Sequence, residues 1–269
     1  MLQIALGILV IAAIKGLWHL GVQLAYEWKG PLNVDADVYL TLGRAIANHM
    51  RLYMDIYEQK PPLILLLPAI SLWLTGDIQV LLRVLQIVII AGFAFIPAWY
   101  AAWIKRDASP QERGIYVLVS LLLGITLALF TAVRAGQYQT ESFGAFFIML
   151  YALTMNSPRA GTARLFVVAL AMGLGFKEPF LLTAAACALI LKRDWKTATP
   201  SFLIPLCIAL VLGIIVMASM GWLVPYVTIH LPEMLSSRIH YVGTPEDKIF
   251  DILQLFSSLQ QQSLPFKWT

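Results

Sequence analysis

Residues 79–106 read QVLLRVLQIVIIAGFAFIPAWYAAWIKR, with a single charge, Arg83, before the closing Lys105-Arg106. A helix that crosses a bilayer core needs about 20 apolar residues, so residues 79–104 are long enough to span and end on a basic step. Further apolar runs lie at 2–22, 114–133, 139–155 and 200–220. The whole chain of 269 residues is 59% hydrophobic and 13% charged, with a mean hydropathy of +0.77. Soluble domains average about 45–50% apolar and about 25% charged residues. A surface wetted on all sides is therefore excluded, and the fold class is an all-α polytopic membrane bundle. No small-residue cleavage site follows the first run, so it reads as a retained span and not a signal peptide. It holds Lys15 and His19, near enough to its far end for Lys15 to snorkel or face protein.

The net charge is +4 and the pI about 9.1, but the bases sit at the ends of apolar runs. That pattern reports membrane orientation, not a nucleic-acid surface. The connections 105–113, 156–164 and 192–199 hold 8 bases and 3 acids, whereas 24–78 holds 4 bases and 6 acids. The excess of Lys and Arg assigns the three short connections to the cytoplasm and the 24–78 loop to the outside. Residues 165–191 lie between two of these basic connections and break at Lys177-Glu178-Pro179. They are expected to cross twice as short helices with that tripeptide at the outer turn, giving about seven crossings. Cys187 and Cys207 both lie in apolar runs, so no disulfide framework or Cys/His zinc site is expected.

The 24–78 loop carries most of the chemistry. Over 37–51, Tyr39, Leu42, Ile46 and Met50 recur at helical spacing, with Asp37, Thr41, Arg44, Asn48 and Arg51 on the other face. This predicts an amphipathic helix on the membrane surface, capped by Asn33 or Asp35. Pro61–Gly76 is apolar but short and contains Pro68, and is read as a second interfacial helix. Asp35 and Asp37 are candidate general bases at the membrane boundary, although both also suit a helix N-terminus. Lys60, held extended before Pro61 and Pro62, suits a phosphate. Asp55 and Glu58 flank it. Arg134, Lys177 and Arg83 are further cations near the outer ends of spans, and Glu141 is an acid there. Charges within spans are costly and default to function. His230 and His240 after the last span read as incidental surface histidines.

Asp35-Ala-Asp37-Val-Tyr39, Tyr53-x-Asp55 and Lys60-Pro61-Pro62-Leu63 together resemble the GT-C membrane glycosyltransferases, in the branch with protein O-mannosyltransferases and lipid A aminoarabinose transferases. Gln139-Thr-Glu141-Ser-Phe and Gly175-Phe-Lys177-Glu-Pro179 continue the likeness, which covers most of residues 1–230. The resemblance implies a seven-span module and transfer of a sugar from a polyprenyl-phosphate donor to an acceptor hydroxyl on a glycan, lipid or protein. The resemblance also implies that the transfer takes place at the outer face of a bacterial plasma membrane. It also implies Asp35 or Asp37 as base, with Tyr39, Asp55, Glu58 and Glu141 supporting. Lys60, Lys177 and Arg134 are then the partners of the donor phosphate. Asp35 is preferred as base because it lies outside the expected amphipathic helix and matches the first acid of the family motif. The family shows Asp-Glu where this chain has Ala36 between two aspartates, and its members run longer than Thr269. A fragment, a split subunit served by a second chain, or a reduced form is therefore expected. No cofactor is expected; the acids could hold a divalent ion, but their spacing does not require one. Residues 231–269 form an outer tail, with a helix N-terminus signalled by Thr244-Pro245-Glu246-Asp247. A transporter or flippase of lipid-linked precursors and a non-catalytic membrane subunit are the competing readings.

Overall fold

In hydrocarbon every backbone N–H and C=O must find a partner within the protein, which leaves helices or a closed barrel. The computed structural model describes residues 2–56, 58, 60–133, 138–155, 169–173, 175–176, 180–192 and 194–233. It is 84% helical, and no strand occurs among the described residues. The chain runs through α1 (Leu2–Lys29), α2 (Val34–Ala47), α3 (Pro62–Thr75), α4 (Val80–Ile104), α5 (Pro110–Val133), α6 (Thr140–Met155), α7 (Phe180–Lys192) and α8 (Trp195–Ser219). A short helical segment, Leu223–Pro225, then continues into one π-helical turn at Tyr226–His230.

Four helices among the described residues are long and apolar enough to cross a membrane: Leu6–Lys29, Val80–Ile104, Pro110–Thr131 and Thr199–Ser219. The protein is membrane-embedded. The expected crossing at 139–155 is an apolar helix of 16 residues, and the second arm of the expected 165–191 hairpin is one of 13. Both are shorter than the usual span. Lys177-Glu178-Pro179, Arg134, His240 and the expected helix after Thr244 lie outside the described residues.

The first helix corrects one boundary. It continues seven residues past 22, because nothing in Gln23–Lys29 opposes a helix until Gly30 and Pro31 break it. Its last carbonyls have no partner within the helix. Arg83 of α4 supplies one: Nη1 donates to the carbonyls of Glu27 (2.9 Å), Trp28 (2.8 Å) and Gly30 (3.2 Å). Its Nη2 also reaches Gly30, while Nε and Nη2 donate to Gln79. A guanidinium has five N–H donors, and these contacts occupy all three of its nitrogens. Arg83 is therefore a cap on α1, not a cation held ready for phosphate.

α2 and α3 form a hairpin across the end of the bundle where α1 finishes. Asn33 caps α2, its side chain accepting from the Ala36 amide at 2.8 Å. The helix thus begins at Val34, three residues before the periodicity predicts, and Asp35 lies in its first turn instead of ahead of it. The apolar face is covered by protein: Ala36, Tyr39, Gly43 and Ile46 are buried, and Met50 is exposed beyond the helix end. α3 runs from Pro62 through Pro68 to a left-handed Gly76 cap. Buried Ser71 ties it to α4, donating to the Asp77 carbonyl at 2.6 Å and accepting from the Leu81 amide at 3.1 Å.

One continuous core joins Leu20 of α1, Tyr39 and Ile46 of α2, Leu65 of α3, Ile89 and Phe93 of α4, Ile125 of α5 and Phe143 of α6. A smaller one joins α6 to α7 through Tyr151, Ala184 and Ala188. Lipid supplies no hydrophobic drive between helices, so close approach of backbones has to hold them. Two glycines carry it. A Cβ at Gly124 would land on the Phe93 and Ala94 carbonyl oxygens of α4. A Cβ at Gly43 would lie 2.5 Å from Pro68 Cβ and 3.2 Å from the Leu65 carbonyl. Gly43→Ala is expected to destabilise the protein by roughly 1–3 kcal/mol, whereas Gly7→Ala, with open space around it, is expected to change nothing. Melting midpoints of both variants in detergent check this; equal midpoints would remove Gly43 as the packing point of the hairpin.

Candidate functional site

The site assembles at the α2–α3 end of the bundle, from pieces far apart in sequence. Gln139, just ahead of α6, donates its side-chain amide to Oδ2 of Asp35 in the first turn of α2. Gln139 is fixed there by its neighbour Tyr138. The Tyr138 hydroxyl donates to the Glu27 carbonyl at 3.1 Å, and its backbone amide donates to Gln86 Oε1 at 3.3 Å. Tyr138 is buried with φ at 61°, a left-handed backbone that bulky side chains rarely adopt.

Asp35 and Asp37 do not form a pair. Two residues on a helix are about 200° apart, so Asp35 is half-buried toward Gln139 while Asp37 faces outward. The Asp37 carbonyl accepts from Thr41 as part of an ordinary helical turn. Tyr39, one turn beyond Asp35, is 1% exposed, and its hydroxyl has no hydrogen-bond partner among the described residues. Burial holds its phenol protonated well above the ordinary tyrosine range, and the carboxylates of Asp35, Glu141 and Glu58 add to that shift. All three acids therefore act electrostatically on this hydroxyl, which stays protonated at neutral pH. Glu141 is exposed and accepts from the buried Thr140 hydroxyl at 3.0 Å.

The turn 51–56 has its own lock. Asp55 accepts from the Arg51 amide at 2.8 Å and from Arg51 Nε at 3.3 Å. That amide, followed by the guanidinium, holds the Asp55 carboxyl below the usual carboxylate range. Asp55 is thus a turn residue turned away from the acids around Tyr39. The turn places buried Tyr53, with φ at 66°, beneath Lys60: its hydroxyl donates to the Lys60 carbonyl at 3.3 Å. The Lys60 amide donates to Glu58 at 3.2 Å. Lys60 is half-buried with its backbone fixed from both sides, and its ammonium makes no hydrogen bond or ion pair among the described residues.

His230 corrects the surface reading. It is fully buried, with its ring 4.4 Å from Tyr53 and 5.0 Å from Tyr226. Trp222, Tyr226 and His230 recur every four residues, a stripe on one helical face that would have marked this segment as packed inward. Burial lowers the His230 pKa below 6.5, against the opposing pull of Glu233 and Glu58. The later motif pieces also arrive here. Gly175 approaches Leu63 closely enough that a Cβ would lie 3.0 Å from Leu63 Cδ2, and Phe176 packs edge-on to Phe143 at 5.1 Å. The Lys-Pro-Pro-Leu, Gln-Thr-Glu-Ser-Phe and Gly-Phe segments thus share one end of the bundle. Among the described residues no group of three or more His, Cys, Asp or Glu is arranged to hold a metal ion.

Compared with family models, curated proteins and solved structures, the chain matches none.

The His230 shift has a consequence for stability. Its folded pKa is depressed, so its contribution is fully present above about pH 6.5 and is lost as pH falls below that value, where the unfolded chain takes the proton first. His230→Phe keeps an aromatic ring and removes the proton site. Between about pH 7 and pH 5 the melting midpoint of the parent chain is expected to fall further than that of the variant. Parallel curves would show that His230 does not titrate in this way.

Proposed function

We propose that this protein moves a sugar from a polyprenyl-phosphate donor to an acceptor hydroxyl at the outer membrane face, as a GT-C-type glycosyltransferase. The observation that carries this reading is the hydrogen bond joining Gln139 to Asp35, with Glu141 and Glu58 near enough to act electrostatically on Tyr39 and Glu58 bonded to the Lys60 amide. These residues come from the separate sequence pieces on which the family resemblance rests.

The chemistry follows from the polarity of the groups. The acceptor oxygen attacks the anomeric carbon, the bond from that carbon to the phosphate oxygen breaks, and the phosphate leaves with the electron pair. The hydroxyl proton passes to Asp35. Gln139 holds Oδ2, which leaves Oδ1 for that proton. A departing phosphate is a weak base, so a single general base suffices. Its rising charge is met by Lys60, and a cation that strengthens its contact in the transition state accelerates the step. The Tyr39 phenol, held neutral, donates to a sugar or acceptor hydroxyl. Lys177 and Arg134 are the further phosphate partners proposed for the same donor, and Glu141 borders its path. Asp37 and Asp55 are left outside the reaction.

In the same reading the apolar helices make seven crossings, with α2 and α3 at the outer interface and a bacterial plasma membrane as the host. Arg83 lies in the first turn of α4 beside the site, and the helix rises about 1.5 Å per residue, so the Lys105–Arg113 connection lies roughly 33 Å from it. That separation and the loop charges support an outer site with inner basic connections. Single cysteines introduced in a chain lacking Cys187 and Cys207 test the orientation. A cysteine at Asp77 is expected to react with an impermeant maleimide from outside, and one at Ser109 only after permeabilisation. The reverse pattern would invert the proposed topology.

The catalytic assignment is tested on the purified chain with the polyprenyl lipid that copurifies, identified by mass spectrometry and supplied as donor. Asp35→Asn removes charge but little volume, and is expected to cost about 10²–10⁴-fold in turnover with donor binding retained. Asp37→Asn is expected to remain active. Lys60→Ala is expected to weaken donor binding and slow transfer together, and Lys60→Arg to recover only part, because a planar fork replaces a compact cation. Full activity in Asp35→Asn at matched folded amounts would overturn the assignment of the base. Transfer that appears only when a second subunit is added would move the chemistry partly to that subunit.

A further inference from the structure

The two faces of α1 are used differently. Ala13, Leu20 and Glu27 are buried against the bundle, and Gly16 meets Ile125 of α5. On the opposite side Ile4, Ile8, Ile11, Lys15, Trp18 and Val22 succeed one another at spacings of 4, 3, 4, 3 and 4. The five apolar members of that stripe are 56–72% exposed, and Lys15 is exposed among them. Such a seam, with apolar residues every 3.5 positions, is the pattern by which one helix receives another, and left-handed crossings of this type are common between membrane helices.

Lys15 is what makes the seam more than a lipid-facing surface. It lies nine residues from Leu6 and fourteen from Lys29, the ends of the spanning segment. At about 1.5 Å per residue it is some 14 Å from the nearer end, and a lysine stem reaches roughly half of that. A charge at this depth is expensive unless it meets an opposite charge. Among the described residues none is placed to meet it: the other apolar helices carry acids only at their ends, at Glu112 and Glu141, and Glu27 lies three turns away on the buried face. A second copy inserted in the same orientation would set Lys15 against Lys15.

We propose that this face of α1 docks a transmembrane helix of a different protein, one that carries an aspartate or glutamate level with Lys15. The apolar seam supplies packing and the single cation fixes register and partner, as a lone lysine at an inward coiled-coil position does. His19, one turn along and also exposed, lies beside the same groove.

The test uses the full chain, fluorescently labelled, in phosphatidylcholine vesicles at about pH 8. The probe is a synthetic single-span Leu/Ala helix with one central glutamate, and the control is the same helix with leucine there. Energy transfer is expected to report association about tenfold tighter for the glutamate helix. Lys15→Leu is expected to bring both helices to the level of the control. Lys15→Glu is expected to shift the preference to a probe with a central lysine. Equal association of both helices with the parent chain, or a glutamate preference that survives in Lys15→Leu, overturns the proposal. So does loss of the preference when phosphatidylglycerol is added, since a lipid phosphate would then be the partner of Lys15.

Discussion

The backbone carbonyl of Glu27 is the point on which the rest of the site end depends. It accepts from Arg83 at 2.9 Å and from the Tyr138 hydroxyl at 3.1 Å. Through these bonds the last turn of α1, the first turns of α4 and the connection into α6 are held together. A helix ending near hydrocarbon leaves carbonyls whose desolvation costs several kcal/mol when nothing replaces water, and hydrogen bonds to charged groups contribute about 1.5–3 kcal/mol each. The arrangement therefore stabilises the bundle end and also sets a position. Tyr138 is fixed by α1 and by Gln86, Gln139 follows it in sequence, and Gln139 fixes Asp35.

Two buried tyrosines near the site, Tyr53 and Tyr138, have left-handed backbones. Each such conformation costs on the order of 1–3 kcal/mol and persists only where the surroundings over-determine it. Here the surroundings are identifiable. The Tyr53 hydroxyl and amide are both bonded, the amide donating to Ile56 at 2.7 Å, and its ring lies against Tyr226 and His230. The strain is thus spent at the two segments that aim Lys60 and Gln139. Groups that act on a developing charge gain most when they are fixed before the reaction begins, and these two are fixed from several elements at once.

What the sequence makes legible is what depends on local period and length. The apolar run at 79–104 is α4, the 3.6-residue rhythm beginning at Tyr39 is α2, and Pro62 to Gly76 bounds α3. The start of α2 was less legible because Asn33, Asp35 and Asp37 are all competent caps. The choice of Asn33 puts Asp35 inside the first turn, on the side facing Gln139, so the structural ground for preferring it changes although the residue does not. The Arg83 cap was illegible for another reason: its carbonyl partners lie 53 or more positions away, and no local pattern reports such a contact, whereas the burial of His230 was signalled by its four-residue spacing with Tyr226 and Trp222. The α2 apolar face carries the same lesson: its periodicity marks a surface to be covered, but whether lipid or α3 covers it depends on Gly43 meeting Pro68.

Charge is laid out unevenly across the site end, and this gives the proposed transfer a direction. The carboxylates of Asp35, Glu141 and Glu58 all raise the negative potential at the Tyr39 hydroxyl, Glu58 from its place beside the Lys60 amide. Lys60 stands at the start of α3, where the helix dipole adds positive potential, and Pro62 at the first helical position removes an amide that would otherwise lack a partner. In the proposed transfer an anionic donor head goes to the Lys60 side and its acceptor to the Asp35 side. Under that proposal the sugar lies between the two, and the same asymmetry that receives the donor also orients the base toward the acceptor hydroxyl.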